Sequence, residues 1–368
     1  MAPKSEVTAN AYRLVEAPRK RNLSERFFGR YGRVGLRGLL ADTNRVATWA
    51  DVPGEAAVGG YEWQRGDSRT RRWLPQGITT SADAYGPDPT AGTVGGRHIV
   101  LTSWYANHIF GFIFGSRISV LDCTDETEAP YRHVLLVNPR RLLGINWLPT
   151  IRVHAGGIVW YGKYLYVAGG QHGIRVFRLD DIVRVRNRFR TKSYRYVLPQ
   201  FTSYDAGHDK SVGEMMYSFM SLDRAGDEDH LVAGEYGRKG GSHRLMRYPL
   251  DRKTELLRSD DRGWAIPAEL YDRQVERMQG ATLVDGTWVI TASNGKGKPG
   301  DLWVGRPGEY SKHAGVLPTG PEDITYWPQR HQLWSLTEWP RQRWVYAIDA
   351  DKWVKPTQSG DQQPPPDS

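Results

Sequence analysis

His154-Ala-Gly-Gly-Ile-Val-Trp-Tyr161, Gly162-Lys163, Tyr164-Leu-Tyr-Val-Ala168, Gly169-Gly-Gln-His-Gly173 and Ile174-Arg-Val-Phe-Arg-Leu179 follow one another without a break. They read as strand, tight turn, strand ending in small residues, glycine-rich loop and alternating strand. The same unit recurs. Gln279-Gly-Ala-Thr-Leu-Val284 leads through Asp285-Gly286 into Thr287-Trp-Val-Ile-Thr-Ala292 and Asp301-Leu-Trp-Val304. Glu322-Asp-Ile-Thr-Tyr-Trp327 leads into Gln332-Leu-Trp-Ser-Leu-Thr337 and Arg343-Trp-Val-Tyr-Ala-Ile348. Tyr217-Ser-Phe-Met-Ser-Leu222 precedes His230-Leu-Val-Ala-Gly234 and His243-Arg-Leu-Met-Arg-Tyr248. The first copy, Gln76-Gly-Ile-Thr-Thr-Ser81, carries a long insertion before His98-Ile-Val-Leu-Thr-Ser103 and Arg117-Ile-Ser-Val-Leu121. A repeat of this kind governs the whole fold.

One meander of strands cannot bury both of its faces. Radial repetition buries them against one another and leaves only short edges. Asp285-Gly286 between apolar strands is a strong hairpin signal, because primed turns need positive φ. The expectation is an all-β chain, a five-bladed β-propeller, with a short N-terminal helical segment. A sixth blade near residues 42–73 is the alternative count, and a β-sandwich the alternative fold. The expected domains are residues 1–41 packing on the propeller, 42–351 as the propeller, and 352–368 as a disordered tail rich in Pro, Gln and Asp. Tyr12-Arg-Leu-Val-Glu16 alternates like a strand and is placed to close the ring on the last blade. Leu23 to Leu40 carries a helical pattern with Asn22 or Ser24 as its cap, weakened by its glycines at 29, 32, 35 and 38.

Composition narrows the function classes. The chain has 368 residues with 40 Gly, 14 Trp and 19 Tyr, which suits short strands and tight turns. The net charge of +9 is spread along the chain, so no nucleic acid partner is expected. The densest basic run, Arg184 to Lys192, alternates with other residues and reads as a solvated surface. Cys123 is the only cysteine, which excludes an internal disulfide and a cysteine zinc site, and it reads as a small core residue. Residues 1–30 hold no export signal and no run is long enough to span a membrane. The chain is expected to be cytoplasmic as written, and secreted if an export signal precedes Met1 in nature. A monomer is expected.

Several of these stretches also resemble a family of actinobacterial proteins, most of them secreted and uncharacterised. The resemblance rests on Gln76-Gly-Ile-Thr-Thr-Ser-Ala-Asp-Ala-Tyr85, His154-Ala-Gly-Gly-Ile158, Gly234-Glu-Tyr-Gly237, Met278-Gln-Gly-Ala281, Gly320-Pro-Glu-Asp-Ile324 and Leu333-Trp-Ser-Leu-Thr-Glu338. It covers about Tyr12 to Asp351 and implies no particular activity. This copy lacks the export signal typical of its relatives, which implies an intracellular task such as secondary metabolism.

In a propeller the first strand of each repeat lines the channel. The repeat starts Gln76, His154, Phe219 or Ser221, Gln279 and Glu322-Asp323 therefore converge. His154 is the candidate general acid or base, since its unperturbed pKa lies near neutrality. Glu322 and Asp323 are adjacent and face opposite sides of a strand, and Glu322 matches the register of Gln279 and His154. Glu322 is the second candidate catalytic group, or else a ring-closing hydrogen-bond partner. Gln76, Gln279 and Ser221 are candidate substrate contacts. Loops after the second strands add Trp104, Tyr105, His172, Glu235, Tyr236, Glu338 and Trp339, an aromatic and polar rim suited to an organic ligand. Gln171 and Asn294 belong to the same loops.

No phosphate loop, zinc-binding helix, calcium loop or nucleophile elbow is present. No metal and no cofactor is expected, with a calcium ion on Glu322 and Asp323 as the alternative. Two readings stand. One is a cofactor-independent cyclase or isomerase that holds an organic small molecule in reactive shape. The other is a carbohydrate-binding or carbohydrate-cleaving propeller, and beyond both lies a pure interaction scaffold.

Overall fold

A computed structural model describes residues 9–19, 27–29, 31–84, 92–107, 114–142, 145–185, 191–239, 241 and 243–354. Nearly every element is a strand, and the strands form five antiparallel meanders. The first is Trp73–Thr80, Ile99–Ala106, Ser116–Asp122 and Glu128–Val137. The second is Ile158–Tyr161, Tyr164–Ala168, Ile174–Arg178 and Tyr196–His208. The third is Phe219–Asp223, His230–Gly234 and Leu245–Asp251, edged by Leu256–Leu257 and Glu269–Tyr271. The fourth is Met278–Val284, Thr287–Ala292, Pro299–Arg306 and Glu309–Thr319. The fifth is Pro321–Trp327, Gln332–Thr337 and Trp344–Asp349, completed by Ala57–Glu62 from much earlier in the chain.

The first strands of neighbouring meanders lie against each other in cyclic order, and the fifth returns to the first. Between each neighbouring pair lies a separate apolar core. Leu101 and Ile158 share the core between the first and second meanders, and Val159 and Met220 share the next. Phe219 and Ile290 share the third, Val289 and Ile324 the fourth, and Val100 and Leu336 the last. This radial packing is a β-propeller and not a pair of facing sheets. Asp285 and Gly286 have φ of 48° and 77°, as the primed hairpin turn demands.

Glycine allows the first strands to approach at the axis. A side chain at Gly157 would overlap the backbone of Phe219 and Met220, and one at Gly280 that of Asp323 and Ile324. Polar struts then join the strands. Asp323 is wholly buried, and its Oδ2 accepts the backbone N–H of Ile78 at 3.1 Å and of Ile158 at 3.4 Å. One side chain of the fifth meander thus holds the first and the second. Asp83 accepts from Thr79 at 2.6 Å and Thr325 at 2.8 Å, which ties the first meander to the fifth again.

The N-terminal expectations need correcting. Tyr12–Glu16 pairs with Tyr196–His208 and Trp264–Ala265, so it bridges the second and third meanders. Ala57–Glu62 already occupies the outer edge of the fifth, where Tyr12–Glu16 was expected. Residues 42–73 add no separate meander: Arg45–Ala50 pairs with Glu128–Val137 and with Ala57–Glu62. The helix is shorter than its pattern implied. Phe27 to Gly29 and Tyr31 are helical, and a separate helix Gly35–Leu40, past a break at Gly32 to Val34, buries Leu36 and Leu39; the caps expected at Asn22 and Ser24 lie outside the described residues, as does the tail from 355 on. Cys123 is buried in the core between the first and fifth meanders, and burial pushes its thiol up.

A second buried network centres on Asp67, in the short helix Arg65–Arg69. Asp67 accepts from Arg117 at 3.0 Å and from Tyr131 at 2.7 Å, and its Oδ2 lies 3.0 Å from His133 Nε2. Ser119 Oγ meets His133 Nδ1 at 2.8 Å, and Trp104 donates to the same oxygen at 2.6 Å. Serine, histidine and aspartate in this order are the elements of a nucleophilic triad. Here all three are buried under Trp104, so the arrangement is a strut. Burial opposes the Asp67 charge, but His133, Arg117 and Tyr131 outweigh it and hold the carboxyl well below the usual range.

Two consequences can be measured by urea unfolding. Asp323→Ala leaves two buried N–H groups unpaired, so it should cost about 1–3 kcal/mol for each. Asp67→Ala strands Arg117 and should cost about 3–5 kcal/mol at pH 7. Because the Asp67 pKa is depressed by folding, its contribution is present above about pH 4 and fades as pH falls further, so the wild-type advantage should shrink there.

Candidate functional site

Three first strands carry the same irregularity. The pairing register shifts between Pro75 and Ile78, between Met278 and Gly280, and between Pro321 and Ile324. A bulge leaves a residue out of the ladder and bends the strand, which re-aims its side chain. The residues set free are Gln76 in the first meander, Gln279 in the fourth, and Glu322 with Asp323 in the fifth. The second meander reaches the same end differently. Ala155 has a φ of 54° ahead of the strand, and His154 precedes it.

These residues line one cavity of about 850 Å³. Gln76, His154, Gln279 and Glu322 meet there with Tyr236, Glu338 and Trp339. The bulge also changes the expectation for Glu322 and Asp323. Strict alternation would send only one inward, yet both are buried toward the axis. They divide two roles assigned to one residue: Glu322 lines the cavity, and Asp323 makes the hydrogen bonds that close the ring.

Five expected site residues do not line it. Trp104 and Ser221 are interior struts; the Ser221 hydroxyl donates to the Ala281 carbonyl at 2.5 Å and so joins the third and fourth meanders. Glu235 is buried and held by Arg244, at 2.6 and 2.7 Å, and by the Met216 N–H at 2.8 Å. His172 is exposed on the loop before Ile174. Tyr105 stands just behind the lining: its ring lies 4.2 Å from that of His154, and its hydroxyl bonds Glu338. The cavity also takes in Met216, Ser218, Arg238, Arg277, Ser293, Asn294, Gly295 and Lys296. Asn294 was in view as a loop residue. Arg277 stood one position before the fourth first strand, and only this position could have signalled it.

The electrostatics are uneven. Burial pushes Glu322 well above the usual carboxyl range, and Glu338 and Asp323 add to this. Among the described residues, no hydrogen bond is made by the Glu322 carboxyl. Glu338 is pushed up to about 7 by burial, against the pull of Arg343, Gln76 and Tyr105. Gln76 donates to Glu338 at 3.3 Å. Arg343, fully buried, directs its guanidinium to the carbonyls of Glu338, Asp67 and Thr70 at 2.6–2.9 Å. Burial thus disfavours the charge of both carboxyls, and Glu338 is poised near neutral pH. Among the described residues no group of three or more His, Cys, Asp or Glu is arranged to hold a metal ion.

No protein-family model and no curated protein matches this chain. Among solved structures, it is similar to a GH43_1 enzyme from Xanthomonas citri complexed with xylotriose, at 11% identity and a TM-score of 0.34, over 76% of this chain and 88% of that one. It is similar to a gluconolactonase from Xanthomonas campestris at 9% identity and 0.36, over 83% and 88%. It is also similar to the Cps50 (Swd1) β-propeller domain of Myceliophteria thermophila at 9% and 0.36, over 82% and 99%. Scores this low say nothing about the chemistry of this chain.

Glu338 offers a direct check on this electrostatic picture. Its folded pKa is raised, so its contribution is fully present below about pH 4.3 and is lost as pH rises through about 7. Glu338→Gln should therefore unfold at higher urea than wild type at pH 8, and the gap should close toward pH 5. A gap that widens on acidification would contradict the assignment.

Proposed function

We propose that the five meanders are the blades of a five-bladed propeller, and that its channel mouth is the active site of a cofactor-independent enzyme acting on a polar organic molecule. The observation that carries this reading is the pair Glu322 and Glu338 in one cavity, pushed up to different extents by burial. Two titratable groups with separated pKa values supply an acid and a base at the same pH.

Glu322, protonated near neutral pH, gives its proton to the substrate. Glu338, in its ionised form, takes one from it. The net change in the substrate is a moved proton, which is the chemistry of an isomerase, or of a cyclase if a bond closes in the same step. Afterwards Glu322 is ionised and Glu338 protonated, and a proton must pass between them or through solvent. His154 suits that exchange, because it is exposed at the rim on Tyr105, which bonds Glu338. Gln76 and Gln279 orient polar groups of the substrate, and Tyr236 and Trp339 offer ring faces.

A second reading, cleavage of a glycosidic bond, is favoured by the same carboxyl pair standing among amide side chains and Trp339. That reaction needs two carboxyls flanking the bond.

The test is mass-spectrometric profiling of host extract incubated with the enzyme, followed by kinetics on whatever is consumed. Glu322→Gln and Glu338→Gln should each lower kcat by about 10²–10⁴-fold. The wild-type rate should rise with pH through about 7 as Glu338 ionises, and Glu338→Gln should lose that limb. Variants that both turn over at the wild-type rate would sink the reading.

A further inference from the structure

The cavity at the channel mouth does not end at the fourth blade. Arg277 and Asn294 line it, and they also line a cavity of about 620 Å³ with Trp303 and Tyr310, and a third of about 470 Å³ beyond Pro299. Both are anchored by the strands around them. The Arg277 N–H donates to the Gly237 carbonyl at 2.7 Å, and its carbonyl accepts from the Ser293 N–H at 3.2 Å. Asn294 donates to Asp301 at 2.8 Å and to the Pro299 carbonyl at 2.9 Å. The three spaces thus share two walls and run outward from the carboxyl pair.

Basic side chains outnumber acidic ones along this line. Arg238, Arg277 and Lys296 line the mouth, and Lys298 the far end. Among the described residues, no carboxylate pairs with the side chains of Arg277, Lys296 or Lys298. Acids share this lining. Burial disfavours the charge of Glu322, Glu338 stands in the mouth beside Gln76, and Asp301 is already taken by Lys312 at 2.9 Å, Asn294 and the Gly315 N–H. Glu276 is the remaining acid of the second cavity.

We propose that the three spaces form one groove, and that it binds an oligouronide: a sugar chain with a carboxylate on each ring. One ring sits at Glu322 and Glu338, and its neighbours run outward past Arg277 and Asn294 toward Trp303. Length is argued by the continuity of the cavities, since the mouth alone already has the volume of an ordinary small-ligand site. Carboxylates are argued by the unpaired cations, among them the planar fork of Arg277. Sugar rings are argued by the Asn294 amide and the Tyr310 hydroxyl standing with the Trp303 ring in the second cavity. The inference rests on the reading of the channel mouth as the substrate site, and holds for either reaction considered above.

The test is binding, kept separate from turnover. Galacturonic acid and its dimer, trimer and tetramer would be titrated by calorimetry, beside a neutral galactose tetramer and an eight-residue oligothymidylate. The acidic tetramer should bind at least about tenfold more tightly than its monomer and than the neutral tetramer, less so in high salt. Arg277→Ala should weaken every acidic ligand by about tenfold or more. Trp303→Ala should weaken the trimer and tetramer and spare the monomer, which also shows that the variant is folded. Equal affinity for acidic and neutral tetramers, no gain with length, or tighter binding of the oligothymidylate would each overturn the proposal. The expected binding pattern without turnover by wild type would uphold the groove and overturn the enzyme reading instead.

Discussion

Asp323 is the constraint on which the rest of this structure depends. Its carboxyl accepts backbone N–H groups from the first strands of the first and second meanders while itself belonging to the fifth. A propeller has no continuous sheet around its axis, so something other than the ladder must join the first strands there. Apolar side chains cannot do this, because strands this close leave backbone donors without partners. A buried carboxyl can take several donors at once. The cost is desolvation, and burial accordingly pushes Asp323 well above the usual range, with its own N–H bonds offsetting part of that.

The same bulge that frees Asp323 presents Glu322 to the cavity. Structure and site are therefore coupled at one dipeptide of the fifth blade. Equivalent bulges free Gln76 and Gln279, so the register faults fall where the blades converge. The ladder is complete on either side of each fault, which keeps the freed side chains on a rigid frame. Burial then separates the behaviour of the two carboxyls in the mouth. Glu322 lies deeper and has no hydrogen-bond donor among the described residues to stabilise its charge, whereas Glu338 has Gln76, Tyr105 and the nearby Arg343.

The buried Asp67 network makes a complementary point. Ser119, His133 and Asp67 are within hydrogen-bonding reach of one another in the order a hydrolase would use. Trp104 seals them in, and Arg117 commits its charge to Asp67. Residue types and distances alone do not make a catalytic site. Access does, and here access belongs to the channel mouth.

The amino-acid sequence by itself determined the strands, their order and the repeat. Alternation, tight-turn residues and the small residues at the blade starts are local properties, so His154 to Leu179 could be read as one blade without any knowledge of its neighbours. The convergence of Gln76, His154, Gln279 and Glu322 followed from the repeat, because equivalent positions of a radial array meet at its axis. What the sequence did not determine was which element would close the ring: Tyr12–Glu16 alternates as a strand does, Ala57–Glu62 with its two glycines does not, and packing placed the latter on the fifth sheet. Nor did it determine the bulges, which turn two adjacent side chains inward against the period of a strand. Arg277, Arg238 and Lys296 were indistinguishable in sequence from the solvated bases elsewhere in the chain. Only the tertiary structure set them around one cavity, because a charge acquires its function from what surrounds it, and its surroundings come from distant blades.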